Sequence, residues 1–216
     1  MKTECIKKVE AFVKAELGQD ATGHDWHHIN RVRKMALYIW EKDHLNADPF
    51  IIEMAALLHD IPDEKLNESE AAGLLKLQTF LDRLNLEETI KQQIIEITTT
   101  ISFKGGRKLE LQSLEAKIVQ DADRLDALGA IGIARAFAYG GKKGQTIYEP
   151  CIEVRNEMTN EQYRNGRSTS INHFYEKLLK LKDGLHTYSA KQIAEKRHQY
   201  MVKFLQVFYN EWNGQA

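Results

Sequence analysis

The sequence predicts an all-α protein. Only three prolines occur in 216 residues, so few positions would interrupt a helix. Long segments repeat apolar residues at spacings of three and four, the period of an amphipathic helix. No run of four to eight residues alternates apolar and polar side chains cleanly enough to indicate a strand. We therefore predict a single-domain helical bundle over 1–216, with helices near 2–17, 24–44, 49–59, 68–84, 87–101, 114–138, 171–182 and 189–212.

Local signals mark where several of these helices begin. The pair Asp48-Pro49 places a capping side chain before a first-turn proline. Asn85 and Ser189 each precede a Glu or Gln by three residues and so resemble capping boxes. The segment 94–103 is rich in β-branched residues and is the best strand candidate. However, it continues the period of the preceding helix, which favours helix.

Composition indicates an ordinary globular protein. There are 30 basic and 31 acidic residues, and the net charge of -1 gives no global basic field, so we expect no nucleic-acid polymer as a partner. Cys5 and Cys151 form no CxxC pair, which disfavours a zinc finger or a disulfide framework. The N-terminal segment has no apolar signal core, and no stretch approaches a membrane span. We therefore expect a cytoplasmic protein, and the sequence leaves homo-oligomer formation open.

A polar dipeptide, His59-Asp60, ends the strongly apolar segment IIEMAALLHD. Both side chains emerge where a buried helix is expected to end, and burying them without partners would be costly. One interpretation is a metal-binding or catalytic site. The other is a capping aspartate beside a core histidine that bonds to the backbone. The dipeptide alone does not decide between the two.

Three further histidines lie in the segment GHDWHHINRV. Helical phase places His28 on an inward face with Val32, whereas His27 shares an outward face with Lys34. His24 lies one turn before His28 and is a candidate to contact the ligands of a site. Taken singly, each of the three is equally well explained as a surface or capping histidine.

Three aspartates, Asp121, Asp123 and Asp126, fall within the mostly apolar segment IVQDADRLDALGA. Helical phase alone does not say which of them turns toward a site. With the histidines and Asp60 they give a mixed nitrogen and oxygen donor set, which suits divalent Mn, Fe, Co, Ni, Zn or Mg. Two imidazoles and two carboxylates would make four protein ligands. In an octahedron they leave two positions for water or a substrate oxygen, as a catalytic metal requires.

The order of these motifs resembles the HD superfamily of metal-dependent phosphohydrolases, whose pattern is H…HD…D. The first His of that pattern begins an H-x-x-R-V run, here at His28, and the HD pair is His59-Asp60. The last Asp stands in an A-D-x-L context, which matches 122–125 and selects Asp123. The segments FAYGG and INHFYEKLLKLKD are similar to a bacterial subgroup of the YpgQ and YedJ type. The resemblance implies that the metal ligands are His28, His59, Asp60 and Asp123.

The resemblance also implies an HD-domain bundle, with a metal-binding core over about 24–130 and C-terminal helices 171–212 packed on it. The implied activity is hydrolysis of a nucleoside triphosphate to release pyrophosphate, by a water that a divalent metal, most often Mn, activates. A 5′-nucleotidase-type phosphomonoesterase and a non-catalytic metal or ligand sensor are the alternatives. Two-metal members of the superfamily carry extra histidines between the HD pair and the last Asp. This sequence has none between Asp60 and Asp123, so we expect one metal.

Charged residues near these motifs are candidates for the chemistry. Asp63 and Glu64 follow the HD pair much as an acidic pair does in the (p)ppGpp hydrolases, where it assists the attacking water. The sequence does not separate their roles. Lys65 would face the charge of the phosphoryl group in the transition state. The candidates for substrate binding are Arg31, Arg124, Lys142 and Lys143, and for each the alternative is a solvated surface charge.

The segment 139–170 is polar, rich in glycine and long, and loops of that length are often functional. We expect it to fold back as a wall or lid over the substrate. Lys142 and Lys143 would then bring charge to the outer phosphates of a triphosphate. The alternative is a surface excursion without such a role.

Overall fold

A computed structural model describes residues 2–18, 23–63, 66–101, 110–156 and 166–215. Within these ranges the regular structure is helical and no strand occurs, which confirms the all-α prediction. No helix in the described ranges is both long and apolar enough to cross a bilayer. The helices are α1 Lys2–Leu17, α2 Trp26–Lys42, α3 Pro49–Leu58, α4 Glu70–Asp82, α5 Glu88–Thr100, α6 Leu114–Asp126, α7 Gly129–Lys142, α8 Ser170–Glu176 and α9 Tyr188–Trp212, with a 3₁₀ helix over Leu178–Gly184.

The chain folds as two compact units, divided inside α6 between Ala122 and Asp123. The first unit contains α1 to α5 and most of α6. The second contains the last turn of α6 and all the helices that follow it. The prediction of one domain over 1–216, with its C-terminal helices packed on the core, stays a prediction.

Helix α3 forms the centre of the first unit. Eight of its ten residues are buried, all of them within the span from Phe50 to Leu58. Helices α1, α2 and α5 pack around it. Glu53 is the polar exception on this helix. Its carboxylate accepts a hydrogen bond of 2.7 Å from Arg33 of α2, and the same guanidinium donates at 2.6 Å to Glu10 of α1. One arginine therefore ties three helices together around an apolar core.

Aromatic side chains make much of the core of the second unit. Phe174 of α8 is fully buried. Its ring stacks on Phe204 of α9 with centroids 5.8 Å apart, and it lies 6.1 Å from the ring of Phe137 of α7. Offset and tilted aromatic pairs at such distances add to the free energy gained from area burial alone. These contacts join α7, α8 and α9.

Two long helices predicted from periodicity are interrupted in the structure. The predicted helix 114–138 is wrong as a single element, because α6 ends at Asp126 and α7 begins at Gly129. Leu128 is extended between them, and Gly129 has a φ of +72°, which a glycine adopts without steric cost. The predicted helix 171–182 likewise ends as α-helix at Glu176 and continues as the 3₁₀ helix.

The predicted helix starts have mixed outcomes. Asp48 caps α3 as expected, and its carboxylate accepts from the Phe50 amide at 2.8 Å. The two capping boxes are wrong, because α5 and α9 are preceded by Glu87 and Thr187, and neither residue makes a side-chain cap bond. The segment rich in β-branched residues that starts at position 94 was the best strand candidate. It is helical as far as Thr100, which confirms the preference for helix.

Two leucines on α4 allow a test of how much the first unit depends on its apolar core. Leu77 is fully buried, whereas Leu75, two residues earlier, is 64% exposed. We expect Leu77→Ala to lower the free energy of unfolding by about 2–5 kcal/mol, through lost transfer energy and the cavity left behind. Leu75→Ala should change it by about 0.5 kcal/mol or less. Urea denaturation followed by circular dichroism measures both, and equal losses would contradict the packing described.

Candidate metal centre

His59 and Asp60 directly follow the apolar helix α3 and lie in a buried position. The helix ends at Leu58, and the chain then turns so that the Asp63 amide donates to the Asp60 carbonyl. His59 and Asp60 are only 5% and 6% exposed. The His59 Nδ1 lies 2.8 Å from the Ala56 carbonyl, which accepts its proton. The other ring nitrogen, Nε2, lies 3.4 Å from Asp60 Oδ1.

Helix α2 delivers His28 from its first turn. The carboxylate of Asp25 caps the helix and accepts a 2.8 Å bond from the His28 amide. The His28 ring is fully buried, with Nε2 3.4 Å from Asp60 Oδ2. His27, the next residue on the other side, is exposed. The helical-phase prediction that turned His28 inward and His27 outward is confirmed.

His24 also reaches this cluster, as expected of a residue that was predicted to contact the ligands of a site. Its Nδ1 lies 3.0 Å from Asp60 Oδ2. Its ring meets that of His28 edge-on, with centroids 5.7 Å apart. The signal in the sequence was the spacing of four residues from His28, although His24 lies before the first residue of α2.

The three histidines keep Asp60 ionised. Burial by itself would raise the pKa of this carboxyl group. The charges of His59 and His24, together with hydrogen bonds from His24 and His28, outweigh burial and hold the pKa of Asp60 well below its usual range. A carboxylate with its full negative charge is therefore present at neutral pH, surrounded by imidazoles.

These donors fit a divalent cation. One nitrogen each from His24 and His28 and one oxygen of Asp60 all lie within 4.8 Å of one another. The ring of His59 lies edge-on to His28 at 5.3 Å between centroids, which adds a third imidazole. Imidazole nitrogen with carboxylate oxygen is a donor set that divalent transition metals accept. The Nδ1–H bond of His59 to a backbone carbonyl is the usual support for a ligating Nε2.

The three aspartates of α6 have different surroundings. Asp121 is fully buried, and Asp126 is 5% exposed. The Asp126 carboxylate pairs with the Arg135 guanidinium of α7 at 2.8 Å. Asp123, which the motif selects as a ligand, is half-buried in the last turn of the helix. The role of Asp123 as a ligand stays a prediction.

Comparison with known proteins decides the family. The HD domain model matches residues 25–128, the span that holds His28, His59, Asp60 and Asp123. Bacillus subtilis YpgQ is 38% identical over 201 residues, which cover 92% of this chain and 89% of YpgQ. The chain belongs to the HD superfamily of metal-dependent phosphohydrolases.

Solved structures of HD proteins agree with this assignment. An HD-superfamily hydrolase from Bacillus thuringiensis is 49% identical, with a TM-score of 0.76 over 100% of both chains. The structure of B. subtilis YpgQ in complex with ADP is 35% identical, with a TM-score of 0.77 over 97% of this chain and 96% of that one. The resemblance inferred from the motifs is thereby confirmed. HD domains bind divalent metal, and the His and Asp cluster of this chain could hold such an ion.

The residues that follow the HD pair are only partly described. Asp63 lies in the turn after Asp60, and its carbonyl accepts a 2.8 Å bond from the Asn67 side chain, which fixes the turn. Glu64 and Lys65 lie outside the described residues. The predicted roles of all three in the chemistry therefore stay predictions.

The predicted phosphate-binding cations lie in different surroundings. Arg31 is half-buried on α2, one turn after His28. Arg124 donates from Nη1 to the Gly184 carbonyl, so one of its nitrogens supports the backbone. Lys142 and Lys143 are exposed at the end of α7. Binding of substrate by these four cations stays a prediction.

The predicted lid over 139–170 begins as helix and continues as a segment held against α8. Residues up to Lys142 belong to α7. Beyond it, the carbonyls of Thr146 and Ile147 accept from the amides of Ser170 and Ile171 at 3.1 and 3.0 Å. Positions 157–165 lie outside the described residues, and a lid over the substrate stays a prediction.

An ion pair between Arg155 and Glu176 also holds the segment that follows α7 against α8. The Glu176 side chain is 1% exposed and accepts from Nε and Nη2 of Arg155, each at 2.8 Å, and from the Ser168 hydroxyl at 2.9 Å. Burial alone would raise the pKa of Glu176. The bonds from Arg155 and Ser168 outweigh it and bring the pKa of Glu176 below the ordinary value. Such a bidentate pair is strong and geometrically specific.

The lowered pKa of Glu176 predicts how this contact responds to acid. The stabilisation from the ion pair is fully present above the pKa that Glu176 has in the unfolded chain, about 4.3. It is lost as the pH falls through the lower pKa that Glu176 has in the folded protein. We expect the difference in free energy of unfolding between wild type and Glu176→Gln to be largest at neutral pH and to narrow below about pH 4. Urea denaturation at a series of pH values measures this difference.

Glu195 supplies the control, because its pair with Lys182 is 51% exposed on the glutamate side. Glu195→Gln should differ little from wild type at any pH, since exposed ion pairs contribute little. If the difference in free energy of unfolding between wild type and Glu176→Gln stayed constant from neutral to acid pH, the lowered pKa of Glu176 would be contradicted.

Proposed function

We propose that this chain hydrolyses nucleoside triphosphates to the monophosphate and pyrophosphate with one divalent cation, and that Mn²⁺ is the ion. The observation that carries the proposal is the buried cluster in which His28, His59 and the ionised Asp60 converge. A cation bound there would lower the pKa of a water molecule and would stabilise charge on a phosphoryl group. That chemistry suits cleavage of a phosphoanhydride.

The proposed ligand set is His28, His59, Asp60 and Asp123. His59 is fixed by its bond to Ala56, and His28 by its burial and by the cap of α2. Asp123 is included because it occupies the last position of the H…HD…D pattern. No histidine stands in the sequence between Asp60 and Asp123, which supports one metal rather than two.

Asp63 or Glu64 is proposed to accept the proton of the attacking water, because both directly follow the HD pair. Lys65, Arg31, Arg124, Lys142 and Lys143 are proposed to face the phosphates, where cations offset the charge of the transition state. A nucleotide as substrate is supported by the complex of YpgQ with ADP, since YpgQ is a relative over nearly the whole chain.

Metal content tests the ligand set. We expect one Mn²⁺ per wild-type chain after loading and desalting, measured by elemental analysis. His59→Ala and Asp60→Ala should lose the metal, because each removes a direct donor from a buried site. His28→Ala should lose it as well, whereas the adjacent and exposed His27→Ala should keep it. Two tightly bound ions per chain, or equal loss in the His27 and His28 variants, would contradict the proposal.

Product analysis tests the reaction. With ATP and Mn²⁺, we expect AMP, and free phosphate that a colorimetric assay detects only after inorganic pyrophosphatase is added. Asp60→Ala, purified in the same way, controls for contaminating phosphatases. Phosphate released from AMP would indicate a 5′-nucleotidase instead. A chain that binds metal but turns over no nucleotide in a broad panel would indicate a sensor.

A further inference from the structure

The last turn of α6 is held by two arginines from later helices. Asp126, 5% exposed, pairs with Arg135 of α7 at 2.8 Å. One residue earlier, the Leu125 carbonyl accepts from Arg197 Nη1 of α9. The same carbonyl also accepts from the Leu128 amide at 3.0 Å, in the tightened turn that ends the helix. Both contacts lie within one turn of Asp123.

This turn needs outside support because of where it lies. The last four residues of a helix have carbonyls without intrahelical partners, and such turns fray. Here these residues are 123–126, so the half-buried Asp123 belongs to the part of α6 that local bonding holds least. A cation at a helix C-terminus is also favoured by the helix dipole. Arg197 supplies this charge and a second donor to the Leu125 carbonyl, besides the Leu128 amide.

The packing around Arg197 shows that its position is specific. After α6 the chain becomes extended at Leu128 and passes through Gly129 with a φ of +72°. A Cβ atom added at Gly129 would lie 3.0 Å from Cγ of Arg197, so the stem of this arginine fills the space beside the glycine. Burial lowers the pKa of Arg197 and the charge of Asp126 opposes that shift, as expected of a cation enclosed beside a carboxylate.

We propose that Arg197 and Arg135 are positioning residues that set the placement of the Asp123 carboxylate by holding the helix at Leu125 and Asp126. This inference rests on the proposed function, in which Asp123 is a metal ligand. It gives Asp126, the third aspartate of the segment, a task distinct from coordination. Neither arginine is proposed to contact substrate or metal.

The sign of the effect separates positioning from electrostatics. Removing a positive charge near a cation site makes cation binding tighter, if charge is all that matters. Loss of positioning makes it weaker, since residues that orient metal ligands typically contribute about 10–100-fold in metal affinity. A weaker metal site after loss of an arginine therefore indicates positioning.

The test is the Mn²⁺ dissociation constant, measured by electron paramagnetic resonance at a temperature where circular dichroism shows each variant folded. We expect about tenfold weaker binding in Arg197→Gln, and a loss in the same direction in Arg135→Gln. Lys196→Gln removes the same charge from the neighbouring exposed position of α9 and controls for electrostatics. Met201→Ala, at a fully buried position of α9, controls for a general loss of stability.

The inference stands if both arginine variants bind Mn²⁺ more weakly than wild type while Lys196→Gln and Met201→Ala bind normally. Unchanged or tighter binding in the arginine variants overturns it and leaves the proposed function intact. Met201→Ala as weak as Arg197→Gln also overturns it, because the effect would then follow from stability alone. A wild-type chain that binds no Mn²⁺ overturns the proposed function, and this inference with it. If Arg197→Gln does not fold, Arg135→Gln carries the test by the same criteria.

Discussion

Asp60 is an ionised carboxylate at the end of a helix made almost entirely of buried apolar side chains. A charge in such a place is tolerated only when other groups compensate it closely. Three imidazoles do so, from His24, His28 and His59, and each lies within 3.4 Å of a carboxylate oxygen. Helix α2 begins and helix α3 ends at the buried point where these groups meet.

The proposed ligands of the metal share a position with respect to secondary structure. His28 lies in the first turn of α2, His59 and Asp60 lie just beyond α3, and Asp123 lies in the last turn of α6. Backbone groups at helix ends lack intrahelical partners, so each of these turns needs a cap or a tether. In this chain, the contacts that cap or tether these helix ends therefore also hold the proposed metal ligands in position.

The sequence predicted well wherever a local period decided the structure. Helical phase separated His28 from His27 because burial follows a repeat of 3.6 residues along one helix. The β-branched segment before Thr100 was correctly taken as helix for the same reason. The motif around the HD pair identified the family, and the match of the HD domain model to residues 25–128 confirms it.

The sequence predicted poorly where distant residues decide. The break after Asp126 depends on a glycine conformation, and an apolar period continues across it without interruption. The partners of Asp126 and Leu125 are Arg135 and Arg197, and no local pattern links positions so far apart. The sequence indicated that His24 lies near the ligands of the site but not which ligand it contacts, because Asp60 lies 36 residues away.

The corner between α6 and α7 limits which sequences this fold accepts. At Gly129, any other residue meets backbone strain of about 1–3 kcal/mol and the stem of Arg197. A shorter residue at 197 would relieve the crowding but remove the donor to Leu125. Shortening residue 197 removes only the crowding, because the left-handed φ of +72° at position 129 still strains any residue that carries a Cβ atom.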